Sequence, residues 1–276
     1  METTLFDYNH MEQRILKKLE TLPLIGFYAK TRGWHFVLSW THRATGLLLV
    51  LYVWFHIYTL TALATPDVFA LKMKLFQGAF FVLLEWALAV PVIFHALNGG
   101  RLILYEVFYS RADAAITRGV LIFSVLYVGL LGLMMIRGDQ AVSPFLFWLC
   151  LLAMSVCLSY VVALKTWPGE NSLGWKLQRI SGSFLLPMIP AHLLFMHLQP
   201  AIGHDAGVII ARMQHVFIKT VAVALLSAGL YHGGYGLLSI IKDYLPARFL
   251  HYCCAMLILI IMGFFFLAGV QLTLFI

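Results

Sequence analysis

Seven runs of roughly twenty apolar residues, separated by short polar stretches, organise the chain. They fall at 37–63, 77–105, 119–136, 143–164, 181–199, 217–241 and 249–275. Runs of that length with few charges span a bilayer. In hydrocarbon each backbone N–H and C=O must be paired within its own segment, so each run is predicted to be a helix. The segment ahead of the first run, MEQRILKKLETLPLIGFYAKTRG, is amphipathic, and too long and polar for a cleavable leader. The expected fold is an all-α membrane protein with seven transmembrane helices.

The polar positions orient it. With the N-terminus in the cytosol, the inner side holds Arg14, Lys17, Lys18, Lys30, Arg32, Arg43, Arg101, Arg111, Arg118, Lys165, Lys176, Arg179, Lys242 and Arg248. The outer side holds Lys72, Lys74, Arg137, Arg212 and Lys219. That excess of cations fixes the orientation by the positive-inside rule and leaves the C-terminus outside.

The pattern also repeats. THRATGLLLVLYVWFH (41–56) aligns with LQRISGSFLLPMIPAH (177–192), which matches Arg43, Gly46 and His56 to Arg179, Gly182 and His192. HALNGGRLILYE (95–106) aligns with HGGYGLLSIIKD (232–243), which matches His95, Gly99 and Glu106 to His232, Gly236 and Asp243. The offsets are 136 and 137 residues. The expectation is two parallel three-helix repeats. A three-span unit that starts inside ends outside, so a tether helix must bring the chain back before the second unit begins. The run 143–164 has no His, Asp, Glu, Lys or Arg and suits that part. The units are then 1–138, 139–168 and 169–276.

Composition adds two exclusions. At 62% hydrophobic and 11% charged, the chain is no soluble domain, and its formal charge of +7 reflects topology and not nucleic-acid binding. Its four cysteines, Cys150, Cys157, Cys253 and Cys254, lie in apolar runs without metal or cluster spacing, and there is no Gly-rich dinucleotide fingerprint. Any flavin or iron–sulfur centre belongs to other chains.

Four histidines fall in the repeat. A twofold axis along the membrane normal sets His95 against His232 and His56 against His192, and two opposed imidazoles in a four-helix core hold a six-coordinate b-type haem. His95 lies six residues from Arg101, about 9 Å below the cytosolic edge, and His56 thirteen residues from Arg43, about 20 Å below it. Two haems are expected, one near each side. Gly99 and Gly236, one turn from their histidines, leave room for a macrocycle. Gly46 and Gly182 clear space for the cytosolic-side haem, and Pro91, Pro187 and Pro190 bend the helices around the cofactors.

These stretches resemble the cytochrome b membrane anchor of succinate dehydrogenase and fumarate reductase, with its two small anchor subunits joined in one chain. SWTHRATG (39–46) is similar to the larger anchor's S-x-x-H-R-x-x-G, and FHALNGGRLILYE to its second helix. YHGGYGLLSIIKDY (231–244) is similar to the haem-histidine helix of the smaller anchor. The resemblance covers roughly 34–137 and 173–276. It implies iron ligation by His95 and His232, and by His56 and His192 as in diheme members. It implies a cytosolic-side quinone pocket lined by Ser39, Arg43, Asp243 and Tyr244, and propionate contacts from Arg43 and His42. Arg179, the repeat's second cation, is expected to bind the cofactor as Arg43 does. Diheme relatives work quinone nearer the outer side, where Glu85 is expected to handle protons or a propionate.

The resemblance further implies a respiratory electron-transport subunit in a prokaryotic inner membrane. Its flavoprotein and iron–sulfur partners would dock on the cytosolic face, the quinone would be ubiquinone or menaquinone, and no residue here would act on the dicarboxylate. A higher oligomer of the whole complex fits the same reading. His35, His197, His204, His215 and His251 are expected at helix ends or loops, with His197 a substitute for His192. Two rivals are the diheme cytochrome b of another quinone-linked dehydrogenase or hydrogenase, and a haem-free parallel-repeat transporter.

Overall fold

The structure, a computed structural model, describes residues 21–76, 78–110, 112–137, 145–197, 203–245 and 247–276. The charged residues 1–20, Arg111 and the first part of the tether lie outside the described residues. Among those described there are ten α-helices and no strand: α1 Pro23–Arg32, α2 Trp34–Leu60, α3 Pro66–Phe76, α4 Ala79–Glu106, α5 Asp113–Arg137, α6 Phe145–Thr166, α7 Leu173–Met196, α8 Ala206–Met213, α9 Val216–Tyr244 and α10 Arg248–Phe275. Gly33, at φ 82°, breaks α1 from α2 in a conformation that suits a residue without Cβ.

Among the described residues six helices are long and apolar enough to cross a membrane: Trp34–Ala64, Ala79–Glu106, Ala115–Ile136, Phe145–Thr166, Val216–Tyr244 and Arg248–Phe275. The expected seventh, 181–199, is displaced into α7 and is not among them. Its 24 residues reach about 36 Å, but they include Lys176, Gln178, Arg179, Ser181, Ser183, Pro187, Pro190 and His192. The physical reason is its place. It packs against α4, α6 and α9, and Ser183, Met188 and Ala191 are buried, so protein rather than lipid solvates it.

Four helices close a ring: α2 packs on α4, α4 on α7, α7 on α9, and α9 back on α2. Outside it, α5 lies on α4, α10 on α9 and α2, and α6 on α7. The buried apolar clusters sit at these seams. Trp148, Met188, Ala191 and Val221 join α6, α7 and α9; Ala89 and Leu131 join α4 and α5; Val50, Leu237 and Ile258 join α2, α9 and α10. A fourth cluster, Ala62, Leu63, Phe69 and Met73 with Ile209 and Leu272, caps one end through the short helices α3 and α8. The interior of the ring is left to histidines.

Candidate functional site

Each ring helix carries one histidine of the repeat. His95 of α4 faces His232 of α9, ring centres 6.2 Å apart and planes at 88°. His56 of α2 faces His192 of α7 at 6.4 Å and 84°. Two imidazoles bound to one metal through facing nitrogens at about 2 Å have their ring centres about 6 Å apart, so both pairs have the spacing of an axial pair.

The second nitrogens of the first pair are committed. His95 Nδ1 donates to the His42 carbonyl at 3.1 Å, and His232 Nδ1 donates to the Gln178 carbonyl at 3.3 Å. A carbonyl accepts, so each ring carries its proton on Nδ1 and leaves the Nε2 lone pair free. Residues 42 and 178 are themselves 136 apart, so the hydrogen bonds keep the offset of the repeat. So do the glycines beneath the rings. A Cβ at Gly46 would lie 2.9 Å from His95 Cε1, and one at Gly182 would lie 3.0 Å from His232 Cε1. Gly46 and Gly182 therefore seat the imidazoles themselves. At Gly99 and Gly236 a Cβ would make only ordinary contact, 3.6 Å from His42 and 3.9 Å from Gln178.

Around this pair the polar groups are incompletely satisfied. His42 stacks flat on His95, ring centres 3.9 Å apart, and its Nδ1 is a buried atom without a hydrogen-bond partner, as are Asn98 Nδ2 and Gln178 Oε1. Arg101 is 6% exposed and donates to Asn98 Oδ1 at 2.9 Å. A cationic, hydrogen-bonding surround of this kind fits the carboxylates of a haem better than it fits an apolar core.

At the mouth of the ring, Arg43 Nη2 bonds Asp243 Oδ2 at 2.7 Å and Nη1 reaches the Tyr244 hydroxyl at 3.3 Å, all on exposed or half-exposed side chains. Ser39 is exposed one helical turn before Arg43. Across the axis Arg179 holds Glu106 through Nε and Nη2, and its guanidinium lies 4.5 Å from the Trp175 ring centre.

The half of the ring that holds His56 and His192 departs from expectation. His197 does not sit apart at the interface. It is half-buried among the others, its ring 5.0 Å from His192 and 5.8 Å from His56. His197 Nδ1 donates to Glu85 Oε1 at 2.9 Å, and its Nε2 lies 3.2 Å from His192 Nε2. Tyr52 stacks on His56 at 5.6 Å. His204, outside the spans, is held below its ordinary pKa by burial, against the attraction of Glu85.

A family model described as the succinate dehydrogenase/fumarate reductase transmembrane subunit matches the chain twice, over residues 29–133 and 160–268. No curated protein and no solved structure matches it significantly.

Proposed function

Because the chain belongs to the succinate dehydrogenase/fumarate reductase transmembrane-subunit family, we propose that it is a fused, diheme-type cytochrome b anchor of a succinate:quinone oxidoreductase. It is a multi-pass membrane subunit of that family. The observation that carries the haem reading is the His95–His232 pair, with the spacing of axial ligands and both Nδ1 protons committed to backbone carbonyls. We count α7 as a seventh span, so the two ends lie on opposite sides, and the excess of cations then puts the N-terminus in the cytosol and the C-terminus outside a prokaryotic inner membrane.

In this reading His95 and His232 hold one haem iron through Nε2, and His56 and His192 hold a second. Bound there, haem b supplies one-electron transfer between a partner chain's iron–sulfur centre and quinone. The protein's own work is positional. Carbonyls 42 and 178 fix the tautomer and the ring angle, as outer-shell partners do for ligating histidines. Gly46 and Gly182 let the rings approach the neighbouring helices. Arg101, Arg43 and His42 would hold the haem carboxylates. Quinone binds at the mouth, where Arg43 and the Tyr244 hydroxyl donate to a carbonyl oxygen and Ser39 adds a hydroxyl. Asp243 orients Arg43, and the exposure of this group gives a reduced quinone access to protons. Glu85 serves proton handling in the outer half. The flavoprotein and iron–sulfur subunits dock on the cytosolic face, and dicarboxylate chemistry is theirs.

The transporter alternative rests on a helix broken at residues 232–236, whereas α9 runs unbroken from Val216 to Tyr244. The deciding experiment is a dithionite-reduced minus oxidised spectrum of the purified complex, with haem counted per chain as its pyridine adduct. Two b haems per chain support the reading, one removes the outer-half haem from it, and none in an intact complex overturns it.

A further inference from the structure

The outer-half cluster contains more than the repeat provides. The repeat explains His56 and His192, but the positions matching Glu85 and His197 are Ala222 and Thr61. Both additions converge on one spot. The ring-centre distances place His197 beside the midpoint of the His56–His192 line, inside the disc that a porphyrin spreads around its iron. One ligand atom from each of the three histidines lies within 4.8 Å of the other two. Two nitrogens bound to one tetrahedral ion at about 2 Å stand about 3.3 Å apart, and His192 Nε2 and His197 Nε2 are 3.2 Å apart.

The orientation of His197 fits the same geometry. Glu85 accepts its Nδ1 proton and turns Nε2 into the cluster, the carboxylate–histidine arrangement that orients metal-bound imidazoles and raises their basicity. The cytosolic-side histidines rest on carbonyls instead. Three imidazoles with one carboxylate behind them suit a divalent d-block ion of the zinc type, leaving a fourth position for water.

We propose that His56, His192 and His197, with Glu85 behind His197, form a site for one divalent transition-metal ion, and that this ion and an outer-half haem exclude each other. The exclusion rests on the proposed outer-half haem, because His56 and His192 serve both groups and His197 must leave for a porphyrin to enter. The ion site itself rests only on the three imidazoles. A chain loaded with the ion keeps the His95–His232 haem and lacks the other.

The test uses the intact complex, prepared from cells grown with full or limited haem supply. It is exposed to zinc chloride and dialysed against a weak chelator. Zinc per chain is measured by mass spectrometry, its imidazole count by zinc K-edge absorption, and haem by the pyridine adduct. One zinc with three imidazoles under limited haem, together with two haems and no zinc under full supply, is the expected result. His197→Ala and His197→Gln should each cut zinc retention at least tenfold, and Glu85→Gln should weaken zinc affinity about tenfold or more, with the His95–His232 haem unchanged as the check on folding. Zinc bound at the three imidazoles with one haem under full supply supports the ion site and overturns the two-haem reading. No zinc under either supply, or zinc retention indifferent to both His197 variants, overturns the site and leaves the haem reading standing. Two haems and the three-imidazole zinc in one chain overturn the exclusion.

Discussion

Arg43 and Asp243 are 200 residues apart in sequence and 2.7 Å apart in space, and the bond between them joins a helix of the first half to a helix of the second. Arg179 and Glu106 make the reciprocal bond, second half to first. The two clasps differ in their surroundings. Where the first has Ser39 and Tyr244, the corresponding positions of the second are Trp175 and Val107. One clasp is more open and carries hydroxyls, while the other is less exposed and has an indole beside its guanidinium.

That difference predicts which clasp binds quinone. Asp243→Asn should raise the KM for a short-chain quinone at least tenfold, equivalent to about 1.4 kcal/mol of binding, with the haem content unchanged. Glu106→Gln should leave the KM within about twofold, because that clasp carries no hydroxyl to meet a quinone. Steady-state quinone reduction by the whole complex measures both. Equal effects at the two clasps would rule out a pocket at Arg43 alone.

Haem loss should follow the histidine pairs. His95→Ala or His232→Ala should each remove one haem per chain and leave a second with an undisturbed spectrum, while His56→Ala or His192→Ala should remove the second and spare the first. Pyridine-adduct counts and low-temperature difference spectra separate the cases. If one substitution from each pair removed the same haem, the pairing of ligands across the bundle would be wrong.

The glycines beneath the imidazoles give a steric prediction. Gly46→Ala puts a methyl carbon 2.9 Å from His95 Cε1 and Gly182→Ala puts one 3.0 Å from His232 Cε1, closer than such contacts tolerate. Each should lower occupancy of that haem or shift its midpoint potential. Gly229→Ala, with nothing within 4 Å of the new carbon, should leave the haem alone and stabilise α9 by about 0.5–1 kcal/mol. Redox titration and thermal melts of the three variants check this, and an undisturbed haem in Gly46→Ala would rule out the steric argument.

Topology separates seven spans from six. An odd number puts the two ends of the chain on opposite sides. Alkaline phosphatase fused after Ile276 should therefore be active, and the same reporter fused ahead of α1 should be silent. Matching signals at both ends would mean that α7 does not cross the membrane.

The four-helix ring could be read in advance because the repeat keeps Arg, Gly and His in register, and symmetry then decides which residues face each other. The clasps are implicit in the same arithmetic, since Arg43 aligns with Arg179 and Glu106 with Asp243. His197 could not be read that way. It lies five residues after His192, about 140° around a helix, and would point elsewhere if α7 continued. The helix ends at Met196 instead, and His197 sits at its cap with φ −122° and ψ 0°, which turns the ring back onto Glu85. Nor could α7 be recognised as protein-solvated from hydropathy, because its polar residues face neighbours that lie far away in the sequence.

The helix α6 leans on α7 and brings neither a histidine nor a carboxylate to the ring. Its consequence is one of supply. Ser39 and Arg43 come from one half and Asp243 and Tyr244 from the other, so two copies of either half would pair their cations but lack one of the two hydroxyls. Joining the halves through α6 means that each round of translation delivers the complementary pair at a one-to-one ratio, with both halves inserted side by side before either can meet a stray copy of itself.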